Sequence, residues 1–246
     1  MFITINRGHM TTSLFAVCFL FMATFAYRIA LHPDLEEWRR QGLVVSVVKT
    51  GYKVVALTFD DGPDPKYTTQ VLDVLDKNNA KATFFVVGVH AKKYPGVVKD
   101  IWLRGHEIGN HGYSHQIKRY NNIEFARSDI QQNEELIASI TTVRPRLVRP
   151  PGGFLSRDLI AFSKEADFQI VTWTWDADYK DWQARDSSSL AYQISENAEP
   201  GQIIILHDGG RNRSVMIDAL KKALPQLTKQ GYRFVTVGEL IELRNK

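Results

Sequence analysis

The sequence predicts an α/β fold built on a parallel sheet, and three observations carry that reading. Short β-branched or aromatic runs alternate with amphipathic segments along most of the chain. Seven such runs occur, enough strand-helix units to suggest a barrel. Polar residues of catalytic type stand just beyond the ends of those runs, which in a parallel barrel form one face. With 246 residues, 44% hydrophobic and 24% charged, the chain has enough material for one sizeable domain with its own core. The net charge is +4, but no dense basic run is interleaved with aromatics, which argues against a nucleic-acid partner.

Taken in order, the chain opens with residues 11–27, an apolar run without a charge. Its length is close to the ~17-residue lower limit for a spanning helix. Residues 1–30 are therefore expected to be an uncleaved membrane anchor, with a cleaved signal peptide as the rival reading. The first places the protein in the cell membrane as a single-pass chain with an extracytoplasmic domain; the second makes it secreted. Arg28, Arg39 and Arg40 follow the run and only Arg7 precedes it, so charge bias alone does not put the domain outside. Cys18, the single cysteine, lies in this segment, and any metal must be held by His and carboxylate. Residues 31–50 read as a polar connector with a helical stretch at Leu35 to Arg40, and residues 51–246 as the domain.

Strands are expected at Val54 to Phe59, Ala82 to Val87, Glu107 to Gly109, Leu147 to Arg149, Gln169 to Trp175, Gln202 to Leu206 and Arg233 to Val237. Helices are expected at Thr68 to Asn78, Ile123 to Ile140, Leu155 to Glu165, Ser188 to Asn197 and Val215 to Gln230.

The first strand runs into Asp60-Asp61-Gly62-Pro63. Adjacent carboxylates repel, so a solvated turn competes with a site in which a cation holds one aspartate and a proton donor the other. His111-Gly112-Tyr113-Ser114-His115 sets two imidazoles at i and i+4, a spacing that lets both reach one metal. With Asp61 as third ligand the set is two His and one carboxylate, leaving positions open for water and substrate. Asp60 is then free as general base, and Arg149 could orient it through a charge-assisted hydrogen bond. Pro150-Pro151-Gly152-Gly153 lets backbone N–H groups approach a ligand closely, as an oxyanion hole requires. His207 is the candidate acid, with Asp181 to orient it.

These motifs resemble the polysaccharide deacetylase family, the NodB-homology domain of carbohydrate esterase family four. Thr58 to Pro63 is similar to its first motif and His111 to His115 to its H-x-x-x-H. Arg149 to Gly153 resembles its R-P-P-x-G, Asp178 to Trp182 its D-x-x-D-W, and Leu206-His207-Asp208 its last motif. The match spans roughly residues 52–240. The resemblance implies a distorted, incomplete (β/α) barrel and metal-assisted hydrolysis of an N-acetyl group. It implies a divalent metal, zinc above all with cobalt or others as alternatives, on Asp61, His111 and His115. It further implies Asp60 as base, Gly152 N–H at the oxyanion, His207 as acid, and Trp182 and Leu206 lining the groove for the acetyl methyl.

Two positions depart from the pattern. Gly112 replaces a Ser or Thr whose hydrogen bond steadies the metal loop, and Gly152 replaces a bulkier residue, which opens one flank of the groove. The anchor and the family together point to N-acetylglucosamine or N-acetylmuramic acid of peptidoglycan, or to chitooligosaccharide. An O-acetyl esterase and a non-catalytic wall-binding module are the alternatives.

Overall fold

The structure is a computed structural model that describes residues 34–245. The expected membrane segment lies outside the described residues, and within them no helix is long and apolar enough to cross a membrane. The chain divides into two units after Gly42. In the first, helix α1 (Leu35–Arg40) carries Glu36 and Glu37 in its first turn and Arg39 and Arg40 in its last. That distribution complements the helix dipole, and both Glu-Arg pairs close at i,i+3.

The second unit, from Leu43, is an α/β domain whose named strands all pair in parallel. In chain order they are β1 (Val44–Val45), β2 (Val54–Asp60), β3 (Ala82–Val86), β4 (Glu107–Asn110), β5 (Leu147–Val148), β6 (Gln169–Val171), β7 (Ile203–His207) and β8 (Arg233–Phe234). The sheet runs β1-β6-β5-β4-β3-β2-β7, with β8 on the start of β2, and curls into an incomplete barrel. Residues 174–178 run beside β7: Thr174 N–H donates to Ile203 O, and Asp178 bridges Ile205.

Strand β2 is buried along its whole length, so its sequence lacks the alternation of a one-faced sheet. Its two faces nevertheless differ. Val55, Leu57 and Phe59, with Ile204 and Leu206 of β7, point into the main core under helices α2 (Tyr67–Lys77), α7 (Ser187–Glu196) and α8 (Ser214–Lys229). Val54 and Ala56, with Ile203, fill the barrel interior together with Phe85, Val171 and the short helix α9 (Val237–Glu242). Thr58 and Asp60 continue that inner face toward the C-terminal end, because side chains alternate along a strand.

Several elements differ from expectation for identifiable reasons. The short parallel strand β1 falls in the stretch read as connector, where two valines are too few to show a period. Between β3 and β4 the chain forms α3 (Gly88–Lys93) and α4 (Pro95–Leu103), unexpected helices separated by Tyr94, with Pro95 at the start of the second. Helices α5 (Ile123–Thr141) and α6 (Arg157–Glu165) lie where expected, capped by the side chains of Asn122 and Ser156. The fifth expected strand stops at Val171 rather than Trp175, because the Val171 and Thr172 carbonyls accept from Arg149 instead of extending the ladder. The last stops at Phe234, where Thr236 and Glu239 close a capping box for α9.

Candidate active site

The residues of interest converge at the C-terminal ends of the strands. Asp60 pairs in register with His207 across β2 and β7. It is 3% exposed, and its Oδ1 accepts from Arg149 Nη1 at 2.7 Å. The guanidinium is fully buried and well satisfied, also donating to Thr58 Oγ1 at 2.8 Å and Thr172 O at 2.9 Å, with its Cζ 4.1 Å from the Phe85 ring centroid. Burial pushes its pKa down, while the Asp60 charge and hydrogen bond oppose that. A buried cation with a buried carboxylate is a costly arrangement that persists here with nearly every donor engaged.

Asp61 sits just past the strand with φ of 71°, which turns its carboxylate away from that of Asp60 and toward the histidine loop. Its Oδ1 is 3.0 Å from His115 Nε2 and 3.5 Å from His111 Nε2, and the two rings lie 5.1 Å apart. The backbone of Asp61 is held by His90, whose Nδ1 lies 2.8 Å from its carbonyl oxygen. At 2.6 Å from Arg149 O, His111 Nδ1 can only donate to it, so the Nε2 lone pair of the neutral ring faces the cluster.

One ligand atom from each of Asp61, His111 and His115 lies within 4.8 Å of the others. Two borderline nitrogen donors and one hard oxygen in that span suit a divalent ion such as zinc. Burial pushes the Asp61 carboxyl up, but hydrogen bonds from His111 and His115 outweigh it and hold the group well below the carboxylate range. The Asp61 hydrogen bond likewise raises His115 above its ordinary value against burial. A carboxylate oxygen and two imidazole nitrogens converging this closely fit a cation between them.

His207, at the end of β7, has its Nδ1 2.7 Å from Asp181 Oδ1, and its backbone N–H donates to Asp181 Oδ2 at 3.1 Å. Burial lowers the imidazole pKa, but the Asp181 hydrogen bond and charge, with the charges of Asp60 and Asp61, prevail and raise it. Arg213, a buried arginine at the start of α8 that belongs to none of the motifs above, has its Nη1 4.0 Å from Asp181 Oδ2, and its Nε donates to Gly209 O. It adds positive charge behind Asp181, and only its position six residues after His207 hinted at a role.

Gly152 occupies a 3-10 turn over Pro151–Gly153 with φ of 67°, a left-handed conformation that favours glycine. The turn uses the N–H groups of Gly153 and Phe154, whereas that of Gly152 has no partner among the described residues. A Cβ at Gly152 would lie 3.1 Å from Ile117, so an isoleucine from the loop after the histidines flanks the opening expected there. Trp182 is exposed beside Asp181.

The placement of Leu206 in the groove is corrected. It is fully buried in the main core on the helix side, because the pleat sends it opposite to His207. Ile205, two residues before His207, registers against Thr58. Two-residue periodicity is the signal that selects it, and adjacency in the motif obscured that signal.

Asp208 braces the turn from behind. Its backbone N–H donates to Asp60 O, its Oδ2 accepts from Thr68 Oγ1 at 2.5 Å, and a Cβ on Gly62 would meet both carboxyl oxygens. Burial, only partly offset by the Thr68 hydrogen bond, pushes its pKa from 3.8 up to about 7. An acid raised on folding favours the folded state while protonated, so this contribution is lost as pH rises from about 4 through about 7. Asp208→Asn should therefore gain stability relative to the parent across that window, read as urea midpoints at pH 5 and pH 8. A gap between the two proteins that does not change with pH would contradict the burial argument.

A family model described as polysaccharide deacetylase matches residues 47–171. A peptidoglycan-N-acetylglucosamine deacetylase of Bacillus cereus is 41% identical over 210 residues, 85% of this chain and 98% of that protein. The peptidoglycan-N-acetylmuramic acid deacetylase PdaC of Bacillus subtilis is 35% identical over 81% of this chain and 41% of its own length. Among solved structures, the Bc1960 peptidoglycan N-acetylglucosamine deacetylase, in complex with an N-oxidanyl-benzamide, superposes with a TM-score of 0.81 at 34% identity. That likeness covers 85% of this chain and 97% of the other.

Proposed function

The chain belongs to the polysaccharide deacetylase family, hydrolases of N-acetyl groups, and we propose that it removes acetyl from N-acetylglucosamine residues of peptidoglycan. The likeness along nearly the full length of a peptidoglycan-N-acetylglucosamine deacetylase supports that sugar over N-acetylmuramic acid. The observation that carries the reading is the division of labour at one strand end. Asp60 is bound by Arg149 at 2.7 Å, Asp61 faces two histidines, and His207 is paired with Asp181 beside them.

Asp61, His111 and His115 would hold the divalent metal, which when bound supplies Lewis acidity toward the acetyl carbonyl and a lowered pKa for the attacking water. Asp60, fixed by Arg149 through one oxygen, has Oδ2 to take the proton of the attacking water. The Gly152 N–H is the backbone donor for the developing oxyanion. His207 is tied to Asp181 through Nδ1, so its Nε2 delivers the proton to the leaving amine. The products are acetate and the free amino sugar. Ile205 and the exposed Trp182 are the groove-lining pair in this reading. A wall substrate also accords with an extracytoplasmic domain held at the membrane by residues 1–30, or secreted after their removal, ahead of a connector and the domain from about residue 51.

The full chain should release acetate from peptidoglycan, lose that activity on treatment with a chelator, and regain it with Zn2+. Chitooligosaccharide and acetylxylan in the same assay separate N- from O-deacetylation. Release from acetylxylan with none from either N-acetylated glycan would replace this reading with that of an esterase, and no release from any would leave a binding module.

A further inference from the structure

The loop that carries the two histidines is held by a carboxylate from outside it. Asp129, in the second turn of α5, is 5% exposed. Its Oδ1 accepts from Ser114 N–H at 3.0 Å, and its Oδ2 accepts from Tyr113 N–H at 2.9 Å and from the Tyr120 hydroxyl at 2.7 Å. The Tyr113 N–H is shared with the Asp129 backbone carbonyl at 3.1 Å. One turn further along the helix, Asn133 Nδ2 donates to Asn110 Oδ1, which also accepts from Gly112 N–H, each at 2.8 Å. The helix thus holds the Asn110 side chain just before His111 and the backbone N–H groups of Tyr113 and Ser114 after it.

The glycine between the histidines makes this possible. At φ of +74°, a Cβ on Gly112 would stand 2.1 Å from the Tyr120 hydroxyl and 2.5 Å from Asp129 Oδ2. The space a loop side chain would take is filled by the Tyr120-Asp129 pair, which arrives from outside the loop. Gly112 is therefore no loss of support but the condition for a different support.

We propose that Asp129, braced by Tyr120, is a positioning residue for the metal ligands: its carboxylate clamps the backbone between His111 and His115 and presets the separation of their Nε2 atoms. The inference rests on reading Asp61, His111 and His115 as the ligand set. Asp129→Asn presents one acceptor and one donor to three converging donors, so at least one bond of the clamp is lost. Tyr120→Phe keeps both backbone bonds and removes the brace.

The test is Zn2+ affinity of the metal-stripped full chain, measured by competition with a chromophoric indicator, with circular dichroism to establish folding. Asp129→Asn should weaken Zn2+ binding roughly 10–100-fold, with a smaller loss in the same direction for Tyr120→Phe. A folded Asp129→Asn variant with a lower melting temperature but parental Zn2+ affinity would show a merely structural role and overturn the proposal. Should Asp129→Asn fail to fold, parental affinity in Tyr120→Phe overturns it. A parent chain that does not bind Zn2+ refutes the ligand set and the clamp together. One that binds it, with the expected variant losses, yet deacetylates no glycan, refutes only the proposed function.

Discussion

Asp60→Asn is expected to lower acetate release by about two to four orders of magnitude, the usual contribution of a positioned general base. The substitution is nearly isosteric. An amide oxygen can still accept from Arg149 Nη1, now 2.7 Å from the carboxylate, so the turn and the buried guanidinium should stay in place. What is lost is the capacity to take a proton. Zn2+ affinity should be retained, because the three ligand atoms belong to Asp61, His111 and His115. The nearest histidine nitrogen to Asp60 is His111 Nε2, at 3.7 Å from Oδ2, farther than it lies from Asp61. Single-turnover acetate release and indicator titration on the same preparation make the comparison. Parental turnover would remove Asp60 from the base role, and a parallel loss of metal would move it into the ligand set.

Much of this site was legible because its residues follow strands whose apolar runs are unambiguous. The Val54–Asp60 and Ile203–His207 runs end on Asp60 and His207, and parallel pairing places those ends side by side. The fixed i, i+4 spacing of His111 and His115 was also informative. What stayed hidden depends on directions and distances that a linear motif does not encode. Leu206 adjoins His207 in the sequence but faces the helices, and the pleat gives Ile205 the inner position. Asp129 lies 18 residues beyond His111 in a helix whose polar positions look like any solvated face. It became visible only once the helix packed on the histidine loop. Strand β1 and helices α3 and α4 are too short for periodicity to resolve, and tertiary pairing rather than local preference defines them.

The second large effect is on stability. Arg149→Met should destabilise the domain by about 3–5 kcal/mol, since removing one partner of a buried ion pair leaves an uncompensated charge. The 3% exposed Asp60 would lose its buried counter-charge, and neither the Thr58 hydroxyl nor His111 Nε2, 3.7 Å from Oδ2, replaces the guanidinium. Part of the loss has another source, because the carbonyls of Val171 and Thr172 also lose their donor. A double-mutant cycle separates the two. In Asp60→Asn combined with Arg149→Met, the stranded charge is gone while the stranded carbonyls remain, so the double variant should be more stable than Arg149→Met alone. Urea unfolding of the parent, both singles and the double would give the coupling. Additive losses would mean that Arg149 serves the Val171 and Thr172 carbonyls and contributes nothing specific to Asp60. A strong coupling would tie fold and chemistry to one contact: the arginine that fills the barrel also fixes the base, so the site cannot be loosened without weakening the domain.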